Sequence, residues 1–155
     1  MIEKAKPDNT GAIAAMVGEL LDEIMQGLGT KAFNFSIDET KVRLKDFLES
    51  EKYFVFLAHR VSDQKEIGFI ALYESYSLYA EGAFGTIPEL YVSAQYRSNN
   101  IGKRLLERAK EFGVTRGWKR LEVTTPPLPQ FERTLKFYEK NGFSITGGRK
   151  LKTEI

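Results

Sequence analysis

Two uninterrupted apolar runs, Tyr53 to Ala58 and Ile67 to Tyr73, constrain this chain more than any other feature. A strand with one wet face alternates apolar and polar residues, so runs without alternation read as strands buried on both faces. Only a short polar stretch containing Ser62-Asp63-Gln64-Lys65 joins them, which makes them a hairpin. The segment before them has a different period. Ile13, Met16, Val17, Leu20, Leu21, Ile24 and Leu28 recur at steps of three and four, the mark of one buried helical face. Asp8 or Asn9 can cap that helix, and Gly27 and Gly29 end it. Ser36 or Asp38 opens a second helix with Ile37, Leu44, Phe47 and Leu48 on one side.

The remaining elements follow by the same reasoning. Phe84 to Ser93 reads as a strand with Pro88 inside it, where a missing ladder donor predicts a bulge or interrupted pairing. Ile101, Leu105, Leu106, Ala109, Phe112 and Gly113 mark an amphipathic helix from about Asn100 to Arg116. Leu121, Val123 and Thr125 alternate as a strand stopped by Pro126-Pro127, and a last helix near Gln130 to Asn141 stacks Phe131, Leu135 and Tyr138 on one stripe. Phe143 to Thr146 and Leu151 to Ile155 read as closing strands around Gly147-Gly148. Without linkers or repeats, residues 1–155 read as one α/β domain.

Composition removes several chemistries. The 155 residues include no cysteine, so a disulfide framework, a thiolate metal site and a cysteine nucleophile are all excluded. His59 is the only histidine, which leaves no multi-histidine metal site, and no metal is expected. At the end of its strand it reads as a surface or hydrogen-bonded group, and Trp118 as a packing residue. No apolar run nears the roughly 18 residues of a membrane span. The N-terminus has no apolar signal core, so a cytoplasmic protein without a membrane partner is expected. Charge is divided unevenly. Residues 1–94 hold 9 Lys/Arg against 15 Asp/Glu, and residues 95–155 hold 14 against 6. That asymmetry points to two ligands of opposite sign, although basic helices are also ordinary solvated surfaces.

The richest stretch runs from Glu89 to Leu106. A strand ends near Ser93, a short polar loop follows, and a helix starts near Asn100. Loop N–H groups, unpaired helix N–H groups and the helix dipole make an anion site. Arg97, Lys103 and Arg104 surround it, and Gly102 leaves room for close approach, so a pyrophosphate fits. Spacing alone equally describes a plain strand-to-helix connection with basic surface residues.

Tyr96-Arg-Ser-Asn-Asn-Ile-Gly-Lys103 resembles the pyrophosphate loop of the general-control-nonderepressible-related N-acetyltransferases (GNAT), usually Arg-Gly-x-Gly-Ile-Gly. Arg97 and Gly102 hold its first and last places, while Ser98 and Asn100 replace glycines, which requires Asn100 to tolerate positive φ. Phe137-Tyr-Glu-Lys-Asn-Gly-Phe143 is similar to the family's Phe-Tyr-Glu-Lys-x-Gly-Phe. An asparagine common seven residues before that tyrosine is Phe131 here.

The resemblance implies a mixed, mostly antiparallel sheet with helices on both faces, and acetyl-CoA as cosubstrate. Leu90, Tyr91 and Val92 would pair with the pantetheine arm, with one N–H facing the thioester oxygen. Arg97, Ser98, Asn99, Asn100, Ile101, Gly102 and Lys103 would hold the pyrophosphate. Tyr138 would meet the cofactor and protonate the leaving thiolate, and Glu89 would be the base, equally readable as a structural glutamate. The acceptor would be an amine, leaning toward a small molecule. The first helices, with Glu19, Asp22, Glu23, Asp38 and Glu39, would shape its side of the site. The basic turn from Gly147 to Lys152 would lie beside the acceptor or be plain surface. A catalytically silent acyl-CoA-binding module and a protein amine acetyltransferase are the alternatives, and a homodimer is left open. A nucleic-acid partner is not expected, because no aromatic-basic platform or helix-turn-helix pattern accompanies the basic helix.

Overall fold

The first periodic segment forms α1 (Thr10–Leu28) in a computed structural model that describes residues 1–155. Gly29 stops it at φ 71°, while Gly27, expected to share that role, stays inside the last turn. Ser36 caps α2 (Ile37–Glu49), its hydroxyl accepting from the Glu39 N–H at 3.4 Å. Asp38 therefore lies in the first turn. The chain divides into two compact units, residues 1–124 and 125–155.

The first unit is built on a six-stranded sheet. β1 (Ile2–Lys4), too short to show a period in sequence, adds antiparallel to the edge of β2 (Phe54–His59). β2 pairs antiparallel with β3 (Glu66–Ser77) as the expected hairpin, Phe54 opposite Leu72 and Phe56 opposite Ile70. β3 runs four residues past the apolar run, to Ser77. It is continued by pairing with β4 (Gly82–Ile87), which the sequence places two residues later, from Phe84. β5 (Leu90–Val92) pairs antiparallel with β3 further along, and β6 (Leu121–Val123) pairs parallel with β4. The sheet is thus mixed and mostly antiparallel, ordered β1-β2-β3-β4-β6 with β5 also on β3.

The apolar runs lack alternation because both faces are covered. Val55, Leu57, Phe69 and Ala71 share one core with Ile13 and Met16 of α1 and Leu44 of α2. Phe54 and Phe56 point the other way, to Phe112 of α3 (Ile101–Arg116), at ring separations of 4.9 and 5.4 Å. Trp118 packs edge-on to Phe112 and donates to Glu74 at 2.6 Å, as a packing residue with a satisfied indole.

The second unit contains α4 (Glu132–Lys140), two residues shorter at its start than expected. The two closing strands do not form. Ser144 to Ile155 is exposed throughout, with Gly147 and Gly148 at φ 91° and 81°. Alternation specifies a strand only where a ladder and a buried face complete it, and these side chains have neither.

Candidate active site

The site begins with Pro88. Tyr73 of β3 lies opposite Thr86, and five positions away Gly68 lies opposite Val92, six positions along. The Ala71 N–H donates to the Glu89 carbonyl at 2.9 Å, which leaves Ile87 and Pro88 together opposite Leu72. Two residues facing one is a β-bulge, placed where proline has no N–H to give. The extra residue inverts the strand's alternation. Before it Thr86 shares a face with Tyr73; after it Glu89 and Tyr91 take that face and Leu90 and Val92 the opposite one. Tyr91 belongs to the core beneath α1 and α2, so Glu89 lies on that side of the sheet.

Glu89 is largely withdrawn from water there, and burial pushes its carboxyl up to about 7. A hydrogen bond from the Tyr53 hydroxyl opposes the shift in part. Burial and the facing carboxylate in turn push the Tyr53 phenol well above its usual range. Tyr53 stacks on Tyr73 with ring centroids 6.1 Å apart and planes 15° from parallel. Next to Tyr73, the hydroxyls of Ser75 and Thr86 meet at 2.7 Å. Sequence reasoning missed Tyr53. The only signal was its place at the head of the first buried strand, one residue before the Phe54–Leu72 pair.

β5 presents an open edge. Glu89 and Ser93 bond inward to β3, the Ser93 N–H reaching the Ile67 carbonyl at 2.9 Å, so in an antiparallel ladder Leu90 and Val92 direct their N–H and C=O groups outward. β6 follows β4 only as far as Ile87, opposite Val123. One outward group is taken: the Val92 carbonyl accepts from Arg97 Nε at 2.7 Å. The same guanidinium meets both carboxylate oxygens of Glu23 at 2.9 Å and lies 5.5 Å from the Tyr91 ring. The Tyr91 hydroxyl donates to Glu19 at 2.7 Å, and burial with that carboxylate pushes its phenol up to about 12. Two of the acidic residues expected to face an acceptor, Glu19 and Glu23, thus hold β5 and its loop.

Ser98 and Asn100, the residues standing where the motif has glycine, are the two loop residues at positive φ, 72° and 61°. Asn100 precedes α3 without a side-chain cap, and the first helical bond is Arg104 N–H to Asn100 carbonyl at 3.0 Å. The N–H groups of Ile101, Gly102 and Lys103 therefore have no acceptor within the helix and, at the positive end of its dipole, suit an anion. Lys103 also pairs with Glu107 at 3.9 Å.

In the second unit Tyr138 is buried on α4, its ring 5.3 Å from Phe137 and 5.2 Å from Phe143. Burial raises its phenol well above the usual tyrosine range, which keeps the proton on oxygen at neutral pH. His59 is buried between Glu3, 2.9 Å from Nε2, and the Gln64 carbonyl, 3.1 Å from Nδ1, a hydrogen-bonded group as expected. No cluster of three or more His, Asp or Glu side chains could hold a metal, and no helix is long and apolar enough to cross a membrane.

A bulged strand with a free edge leads into an uncapped helix N-terminus, and a buried carboxyl stands on the inner face of the same strand, an arrangement able to hold an extended, anion-ended ligand beside a titratable group. The acetyltransferase (GNAT) domain family matches residues 49–145, and the chain belongs to that family. It is 28% identical over 150 residues to the uncharacterized N-acetyltransferase YhfO of Bacillus subtilis, covering 95% of this chain and 91% of that one. It is 25% identical over 148 residues to the thialysine N-epsilon-acetyltransferase of Bos taurus, covering 92% and 82%. The fold is also that of a predicted acetyltransferase from Clostridium acetobutylicum solved with acetyl-CoA, at a TM-score of 0.81 and 15% identity over 99% of this chain and 95% of that one.

Proposed function

We propose that residues 1–155 form one cytoplasmic domain that moves an acetyl group from acetyl-CoA directly to a primary amine, without a metal. The observation carrying this reading is the open edge of β5. Its outward N–H groups on Leu90 and Val92 are followed, across the connection of residues 93–100, by the free N–H groups of Ile101, Gly102 and Lys103. A molecule with an extended amide arm and a pyrophosphate at its end matches that sequence of donors. A 3-10 turn at Ala94–Tyr96 and then the backbone of Arg97, Ser98, Asn99 and Asn100 connect the two. An outward N–H of β5 would also face the thioester oxygen as it becomes an oxyanion.

Glu89, held near 7 by burial, is suited to take a proton from the incoming ammonium at neutral pH, directly or through water. Tyr138, protonated at neutral pH, would hydrogen-bond the departing sulfur and hand its proton to the thiolate as charge develops there. The acceptor is read as a small-molecule amine, by analogy with the bovine relative. The amine named for the bovine relative is in keeping with that class. The positive φ at Ser98 and Asn100 supports cofactor binding, since the loop takes its shape without the usual glycines, and turnover is what separates an enzyme from a silent binding module.

The test is a panel of small amines with acetyl-CoA, reading free thiol. One amine should give steady CoA release that Glu89→Gln slows at neutral pH. Tight acetyl-CoA binding with no release across the panel would overturn the enzymatic reading.

A further inference from the structure

We propose that Arg97 and Glu23 are positioning residues that set the register in which the extended arm of the acyl carrier adds to β5. The proposal rests on the cofactor reading above. A ligand laid along β5 meets four outward backbone groups, the N–H and C=O of Leu90 and of Val92. Arg97 Nε occupies the Val92 carbonyl at 2.7 Å, leaving three. A ligand displaced toward Ser93 meets the guanidinium instead of a free acceptor. The arm is thereby confined to Leu90 N–H, Leu90 C=O and Val92 N–H.

The guanidinium is itself tied down. Both Glu23 oxygens accept from it at 2.9 Å, and the Tyr91 ring lies 5.5 Å away. Tyr91 is fixed in turn by Glu19, one helical turn before Glu23 on the same face of α1. The Arg97 and Glu23 side chains are 44% and 42% exposed, so their pairing adds little to folding stability. Its consequence is geometric. A strut of this kind acts on the carrier arm whether or not the carrier bears phosphates, whereas a phosphate ligand acts only when they are present.

The experiment compares acetyl-CoA with S-acetylpantetheine, which keeps the thioester arm and lacks every phosphate. Affinity is read by calorimetry and turnover with the best panel amine. Arg97→Met keeps an unbranched stem and removes the guanidinium, while Glu23→Gln keeps the guanidinium and removes its charged anchor. Arg97→Met should weaken both carriers by a similar factor of about 10, as for a lost charged hydrogen bond. Glu23→Gln, remote from any carrier atom in this arrangement, should weaken both in the same direction by about 3-fold. The double variant should be no worse than Arg97→Met, since the two residues act as one unit. kcat at saturation should stay near wild type, the loss falling on KM, and melting temperatures within a few degrees confirm intact folding. Loss confined to acetyl-CoA, with Glu23→Gln unchanged, overturns the proposal and makes Arg97 a phosphate ligand. A wild type that binds neither carrier overturns the cofactor reading and this proposal with it.

Discussion

Replacing Glu89 with glutamine should stabilise the protein, and by an amount that depends on pH. Burial moves this carboxyl from 4.5 to about 7. A folded state with the higher value binds its proton more tightly than the unfolded chain does. Stability from this group is therefore fully present below about 4.5 and is lost as pH rises through about 7. At ~1.4 kcal/mol per pH unit, keeping Glu89 ionised in the folded protein costs about 3 kcal/mol. Glutamine fills nearly the same volume, can still accept from Tyr53, and carries no charge. Urea denaturation of wild type and Glu89→Gln at pH 5 and pH 8 isolates the effect. The advantage of the variant should grow by roughly 2 kcal/mol between the two, seen as a midpoint shift at constant slope. An advantage equal at both pH values, or a less stable variant at pH 8, would refute the reasoning, because ionisation of Glu89 would then carry no folding cost.

Tyr53→Phe removes the one hydrogen bond that favours the Glu89 carboxylate, so the acid limb of kcat/KM should move upward by about one pH unit; Tyr73→Phe, which loses no bond to Glu89, serves as the control. Ser98→Gly should raise stability by about 0.5 kcal/mol in urea titrations, relief of positive φ outweighing the entropy of glycine, and Asn100→Gly should be nearly neutral. A Ser98→Gly protein destabilised by more than about 1 kcal/mol would remove that account of the loop. Tyr138→Phe keeps the ring beside Phe137 and Phe143, and should lower kcat by roughly 10- to 10³-fold with little change in melting temperature or acetyl-CoA affinity. Unchanged turnover would take the hydroxyl out of the mechanism.

What could be read in the sequence was whatever depends on neighbours along the chain. The helical period from Ile13 to Leu28, the buried runs at Tyr53 and Ile67 and the interruption at Pro88 are all local patterns, and each formed its element. The positive φ asked of Asn100 was legible for the same reason. What could not be read depends on register between distant strands. The face of Glu89 required knowing which β3 residue spans the bulge, and its bond to Tyr53 requires β2, β3 and β5 to be aligned at once. Arg97 and Glu23 are 74 residues apart and meet only because α1 packs beneath β5. The closing strands failed in the opposite direction, as a local pattern with no partner to complete it.

The bulge also makes the chemistry of this strand a matter of odd and even numbers. Deleting Pro88 would remove the bulge and still leave Glu89 opposite Ala71 on its present face, whereas plain alternation over the unchanged length would turn the carboxyl toward α3 and Leu90 toward α1. Loss of the bulge at constant length is thus more disruptive here than most changes of side chain, since it exchanges the two faces of every residue beyond it. Residue identities, and length too, are free to vary along this segment as long as any extra residue is absorbed by a bulge, which keeps Glu89 opposite Ala71.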